Sequence, residues 1–328
     1  MADETMSTGE ETVDRFGVDA ASRRHRRSLR ERLNAAEHRR FVVGVLSTLF
    51  GGIFWGFSGT CASLLFDVYH MDTIWLMCTR QLCAGLLFLA LILATDRKRF
   101  VALWTNPHDR LIVLVFSACG VLLNQFGYLT SVRLTNAGTA TVMQTLQLLI
   151  IMAYACINAR RVPRRREILG VALALLGTYL IATGGNPSNL AIPPEGLLVG
   201  LISALGAACM TIIPAGILPT YGSSIVTGSG MLLSGLVTCA IFQPWNSVPV
   251  LDPTGWGAFA VLIAVGSFLS YFLYMQGVKD IGSMRAALIG TVEPVSATVT
   301  SALLLGTLFA PTDIVGFACI IVMVFLTV

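Results

Sequence analysis

The sequence predicts an all-helical membrane protein with ten transmembrane helices arranged as two inverted five-helix repeats. Three observations carry that expectation: a shortage of charge, uncharged runs of bilayer-spanning length, and self-similarity at a fixed offset. Only 12% of the 328 residues are charged, against about 25% in an ordinary soluble domain, and the mean hydropathy is +0.75. Residues 1–40 alone hold 9 of the 22 Lys/Arg and 8 of the 18 Asp/Glu. The remainder contains uncharged runs such as Phe41–Phe66, Leu111–Val132, Leu134–Ala159 and Gly196–Leu251. About 20 apolar residues span a bilayer, so an ordinary soluble enzyme is excluded.

Taken in chain order, residues 1–40 form a polar tail. Its first 21 residues are acidic and poor in large apolar groups, a composition that predicts disorder. Ser22–Arg40 carries eight Arg against two Glu, which suits an anionic membrane surface; nothing beyond charge points to nucleic acid. Ser22-Arg23-Arg24 lies too far from the apolar run, with no small-residue cleavage site, to act as a twin-arginine signal. Ten apolar segments follow, near 41–65, 74–95, 111–131, 137–157, 168–184, 196–213, 225–243, 255–276, 286–306 and 312–328. Pro214, Pro219 and Gly222 supply the turn that divides the long run after Gly196. The tenth segment reaches Val328 without a polar tail, as in a chain slightly truncated there. With the basic tail placed in the cytoplasm, inner loops collect eleven Lys/Arg and outer loops only Arg133. The positive-inside rule therefore puts both termini in the cytoplasm.

Sliding the chain by 146 residues aligns 115–180 with 261–326 without a gap and gives thirteen identities, Tyr128/Tyr274 and Thr145/Thr291 among them. The polar pairs Arg133/Lys279, Gln147/Glu293 and Glu167/Asp313 stay in register. A shift of 156 matches Gly44, Ser47 and Leu49 to Gly200, Ser203 and Leu205. Residues 41–184 and 196–328 thus read as two copies. Five helices is an odd number, so the second copy lies upside down, the layout of secondary transporters that rock about a midplane site.

The stretch from Tyr274 to Gly316 runs through Thr291-Val292-Glu293-Pro294-Val295 and Leu303-Leu304-Leu305-Gly306 to a new helix near Asp313. With Arg80 in the second segment and Trp55-Gly56 in the first, it resembles the EamA-type transporters of the drug/metabolite transporter superfamily. The resemblance covers about 41–328. It implies a ten-helix carrier with segments 1, 3, 4, 6, 8 and 9 around a central cavity, moving small metabolites and commonly exporting them in bacteria. This chain departs from the family at Leu305-Gly306-Thr307, where Leu-Gly-Glu is frequent. It also has Gln147-Leu148 where the second copy has Glu293-Pro294.

Glu293 is the one acid in the middle of a span, and an ionised carboxylate there is expensive unless paired or facing water. It reads as a substrate contact or proton-linked switch; the alternative is a hydrogen bond supporting the helix break at Pro294. Arg80 would counter a substrate carboxylate, pair with Glu293, or merely tie backbone carbonyls. Glu293, Pro294 and Arg80 are the expected coupling or gating residues. Thr141, Gln144, Gln147 and Tyr154 make one polar stripe, and Glu293, Ser296 and Thr300 its counterpart. Such stripes line a cavity or hydrogen-bond between helices. Trp55, Asn124, Gln125, Tyr128, Ser270, Tyr271 and Tyr274 would suit an amphipathic or aromatic solute, although Tyr128 and Tyr274 also fit interfacial anchors. The expected substrate-binding set is Trp55, Asn124, Gln125, Tyr128, Gln144, Gln147, Tyr271, Tyr274, Glu293 and Ser296.

No enzyme is expected. Gly56-Phe57-Ser58-Gly59 matches the pattern of intramembrane serine proteases, but His25, His38, His70 and His108 all lie outside the expected spans, leaving no base. The eight cysteines sit singly in apolar runs, so neither a disulfide framework nor a metal site is expected, and no cofactor is called for. The expected function is a secondary carrier for an amino acid or similar metabolite, most plausibly an exporter in the bacterial cytoplasmic membrane. Its expected partners are a small-molecule substrate and membrane lipids, with no nucleic acid and a homodimer left open. The alternative is a non-transporting scaffold or sensor whose basic tail docks partners.

Overall fold

The computed structural model describes residues 7–134, 140, 143–186, 193–305 and 311–327. The chain divides into two compact units, residues 1–43 and 44–328. Within the first, the backbone is helical from Ser7, where composition predicted disorder; its Ala, Glu and Arg are good helix formers.

Among the described residues every regular element is helical. Helix α1 (Ser7–Asp67) carries the apolar stretch Ala36–Asp67. It is followed by α2 (Thr73–Thr95), α3 (Pro107–Leu134), α4 (Met143–Asn158), α5 (Arg165–Thr183) and α6 (Pro194–Gly216). Then come α7 (Ser223–Phe242), α8 (Pro253–Ile281), α9 (Ser283–Leu304) and α10 (Pro311–Thr327). Seven of these, all but α4, α5 and α10, are long and apolar enough to cross a membrane. The other three expected segments also fall on helices. The apolar parts of α4 and α10 are shorter than a span, and α5 opens on Arg165, Arg166 and Glu167. Thr141, Gly306 and Thr307 lie outside the described residues.

Helix starts follow the capping rules. Asp72 accepts from the Trp75 amide at 2.8 Å, and Asp252 from that of Gly255 at 2.7 Å with Pro253 at the first helical position. The turn expected at Pro214–Gly222 is present: a short 3-10 stretch, Ile213–Gly216, closes α6. Gly222, at φ 85°, then reverses the chain in a region that residues with a Cβ avoid. At the polar start of α5, ahead of its apolar run, Glu167 accepts two hydrogen bonds from Arg161, at 2.7 and 2.6 Å, and one from the Arg164 amide at 2.9 Å. The Arg161 guanidinium holds the Glu167 carboxyl below the usual carboxylate range.

The helices pack in a definite set of pairs. α2 lies on α7, with Ser234 donating to Gln81 and the Cys239 thiol meeting the Cys78 carbonyl. α3 lies on α6, α4 on the first half of α9, and α5 on α10. α1 meets α8 through the ring contact of Trp55 with Tyr271. It also crosses α9 closely at Gly56, where an added Cβ would sit 2.4 Å from the Glu293 carbonyl oxygen and 2.6 Å from the Ala297 nitrogen.

Among the described residues, the α-helical ladder is interrupted in the interior of four helices. α3 turns π-helical over Phe116–Leu122 and α8 over Ala264–Leu269. α4 breaks at Leu146 and α9 at Thr291–Val292. Leu146 and Val292 stand 146 residues apart, and the π segments overlap at the same offset.

Gly56→Ala should lower the melting temperature in detergent, by the equivalent of about 1–3 kcal/mol for overpacking against backbone; an unchanged thermal unfolding midpoint would contradict the close crossing. Because the folded-state pKa of Glu167 is depressed, its contribution is complete above the ordinary glutamate range and fades as pH falls through the folded value. Glu167→Gln should therefore flatten the acid limb of the melting temperature against pH, with little change near pH 7 in that slope.

Candidate functional site

Near the interruptions the helices leave a cavity of about 60 Å³. Its lining includes Trp55 from α1, Arg80 from α2, Asn124, Gln125 and Tyr128 from α3, and Gln144, Thr145 and Gln147 from α4. α6 adds Ala207 and Met210, α8 adds Tyr271 and Tyr274, and α9 adds Thr291, Glu293 and Pro294. Of the twelve residues expected for binding, coupling or gating, only Ser296 is missing from this wall.

One side of the cavity is aromatic. The Trp55 ring centroid lies 5.0 Å from that of Tyr271, edge-on, and 4.8 Å from that of Tyr274. Both tyrosines are buried and sit well inside α8, so Tyr274 is not an interfacial anchor. Gln125 Nε2 donates to the Tyr271 hydroxyl, and the Tyr274 hydroxyl pairs with Thr211 at 2.9 Å. Gln125 and Tyr271 stand 146 residues apart.

A second side is an amide cluster. Gln144 Nε2 donates to Asn124 Oδ1 at 2.7 Å and to Ser203 Oγ at 3.3 Å, and Ser203 donates to Asn124 Oδ1 at 3.3 Å. These bonds tie α3, α4 and α6 together and fix the amides' orientation.

The charged side depends on the π segment of α8. A π turn replaces i→i−4 bonds by i→i−5 bonds and leaves a carbonyl without its usual donor. Ser267 and Ser270 reach back five residues, to the carbonyls of Leu262 at 3.2 Å and Val265 at 2.6 Å. The Gly266 carbonyl accepts from Arg80 Nη2 at 3.3 Å, while Arg80 Nε donates to Ser267 Oγ at 2.5 Å. Arg80 is buried, and a guanidinium has five N–H donors, so these two contacts leave others facing the cavity. Among the described residues the Glu293 carboxylate makes no hydrogen bond or ion pair, and buried Gln147 Oε1 has no partner. These two residues occupy matching positions at the 146-residue offset. Each follows a break in its helix.

The expected stripes divide. Gln144 and Gln147 reach the cavity, but Tyr154 lies seven residues further on, about 10 Å along the helix, and is 48% exposed. On α9, Glu293 lines the cavity, whereas Ser296 donates to the Ile53 carbonyl at 2.6 Å and Thr300 pairs with Thr60 at 2.7 Å. Ser296 thus bonds α9 to α1 where the two helices cross most closely, a contact between helices. Sequence reasoning missed Thr145 and Thr291 as lining, although their identity at the offset was a usable signal. Thr211 and Ser267 are isolated hydroxyls with no such signal.

A bundle of apolar helices around a buried polar cavity defines a multi-pass membrane protein with an internal site. The sequence matches the EamA-like transporter family twice, over residues 42–183 and 194–328, and the chain belongs to that family of membrane transporters. It is 33% identical over 273 residues to an uncharacterized inner membrane transporter, YicL, of Salmonella typhimurium, covering 83% of this chain and 91% of the relative. It is 23% identical to the uncharacterized transporter YwfM of Bacillus subtilis, covering 83% and 89%. A solved crystal structure superposes with a TM-score of 0.70 at 15% identity, over 86% of this chain and 94% of the other, a likeness of fold.

Arg80→Leu would orphan the Gly266 carbonyl at the π turn. The expected outcome is a loss of roughly 1–3 kcal/mol, read as a lower melting temperature in detergent; a melting temperature equal to wild type would show that Arg80 does not hold this turn.

Proposed function

We propose that the protein is a secondary carrier with ten spans in two inverted repeats, both termini cytoplasmic, that exports an amino acid or similar small metabolite across a bacterial cytoplasmic membrane by alternating access. The observation that carries this reading is that, among the described residues, the Glu293 carboxylate and Gln147 Oε1 have no hydrogen-bond partner, at matching positions of the two halves and beside one cavity. In a low-dielectric interior such groups are costly unless a ligand or water completes them.

The packing supports the repeat arrangement. A two-fold relation that sends each helix to the one five places later maps the pairs α2–α7, α4–α9 and α5–α10 onto themselves. It exchanges α3–α6 with α8–α1. Those pairs are among the ones observed, and a residue can touch its own counterpart, as Gln125 touches Tyr271, only near such an axis.

The chemistry of the lining supports a zwitterion. Arg80 offers spare N–H donors to a carboxylate, Glu293 offers an acceptor to an ammonium group, and Trp55, Tyr271 and Tyr274 face whatever apolar side chain lies between. About 60 Å³ has room for roughly four to six waters, so loading a metabolite requires the halves to move apart. Residues at the helix breaks suit that motion, because discontinuous helices meet at the midplane of such carriers.

The test is thermal shift of the purified protein in detergent against amino acids, nucleobases, vitamins and cationic drugs. A ligand at 100 times its Kd adds about 2.7 kcal/mol. An amino-acid hit that disappears in Glu293→Gln or Gln147→Ala is expected, together with loss of pH-dependent transport in Glu293→Gln. Transport by both variants with unchanged rate and pH dependence would refute the site.

A further inference from the structure

A second cavity, of about 840 Å³, lies on the arginine-rich side of the helices and shares no lining residue with the central one. Arg161, Arg164 and Arg166 reach it from the connection between α4 and α5, and Arg285 from the first turn of α9. The positive-inside rule explains arginines in these loops; it does not explain why two loops distant in sequence present them to one concavity. Glu167 also lines the cavity, but its carboxylate is engaged by Arg161 at 2.6 and 2.7 Å. Part of the lining is apolar: Ile212 and Met284 pack against a cluster that includes the fully buried Ile151 and Leu288.

We infer that this cavity binds an anionic phospholipid, its phosphate held by Arg164, Arg166 and Arg285 and the start of an acyl chain lying on Ile212 and Met284. Guanidinium forks match phosphate oxygens in pairs, and basic pockets between transmembrane helices suit phospholipid headgroups. A free phosphate would use the arginines but leave the apolar wall bare, in a space many times its need. Bound there, the lipid bridges the α4–α5 connection to the α8–α9 connection and braces the two loops that flank the cavity. This site is independent of the central one and of what the central one carries.

The full-length protein, purified with phosphatidylglycerol and phosphatidylcholine in equal amounts, is examined by native mass spectrometry for retained lipid. Wild type should retain phosphatidylglycerol preferentially. The combined variant Arg164→Gln, Arg166→Gln, Arg285→Gln should lose that preference by roughly tenfold or more, and the corresponding Arg→Lys variant should recover part of it. Neutralising the arginines of Ser22–Arg40 should leave preferential retention in place, which separates this site from the tail. Unchanged preference in either the Gln variant or, should that variant misfold, complete loss of preference in the folded Lys variant would overturn the proposal. So would displacement of the lipid by millimolar inorganic phosphate, which would assign the arginines to a soluble anion.

Discussion

In hydrocarbon there is no water to take up a backbone group that a helix leaves unpaired, and the centre of this protein is organised by that constraint. Each departure from the α-helical ladder creates a polar demand that side chains must answer. At the π segment of α8 the answer is Arg80 with Ser267 and Ser270. In the corresponding segment of α3, Ser117 instead donates to the Gly230 carbonyl of α7 at 2.8 Å and ties the two helices together. At the break in α9, Thr291 reaches back to the Leu288 carbonyl at 2.7 Å. Two of the polar groups that line the cavity, Arg80 and Thr291, are thus also groups that make its irregular backbone tolerable. Holding the fold and presenting a site are here one arrangement.

That coupling explains which parts could be read from the sequence. Helix positions followed from uncharged runs and turn residues, since apolar length is what a bilayer selects. The offset of 146 was legible because Gln147/Glu293 and Thr145/Thr291 are polar matches in an apolar background. Periodicity alone then overreached: it grouped Ser296 and Thr300 with Glu293, although only the distance to α1 decides whether a hydroxyl faces a cavity or a neighbour. Tyr154 shares a helix face with Gln147, but it sits beyond the apolar cluster of Leu148 and Ile151. The π segments left no trace in the sequence, because their cause is a bonding pattern between helices.

The two halves agree in backbone and differ in chemistry. Both interrupt their helices in the same register, yet one places an amide and the other a carboxylate behind the break. The amide side is stiffened by the Asn124–Gln144–Ser203 cluster, while the acidic side has an aromatic wall and a single cation. Trp55 and Arg80 come from the first copy and Ser203 from the second, so each side of the cavity draws on both halves of the chain.

The contact between Gln125 and Tyr271 bears on ancestry. Had the protein been assembled from two identical five-helix chains, this position would have met a copy of itself, glutamine on glutamine or tyrosine on tyrosine. An unlike pair, here an amide donating to a hydroxyl, requires two halves whose sequences differ. A chain that carries both copies is under no such rule, and the residues on the two sides of this contact are free to differ.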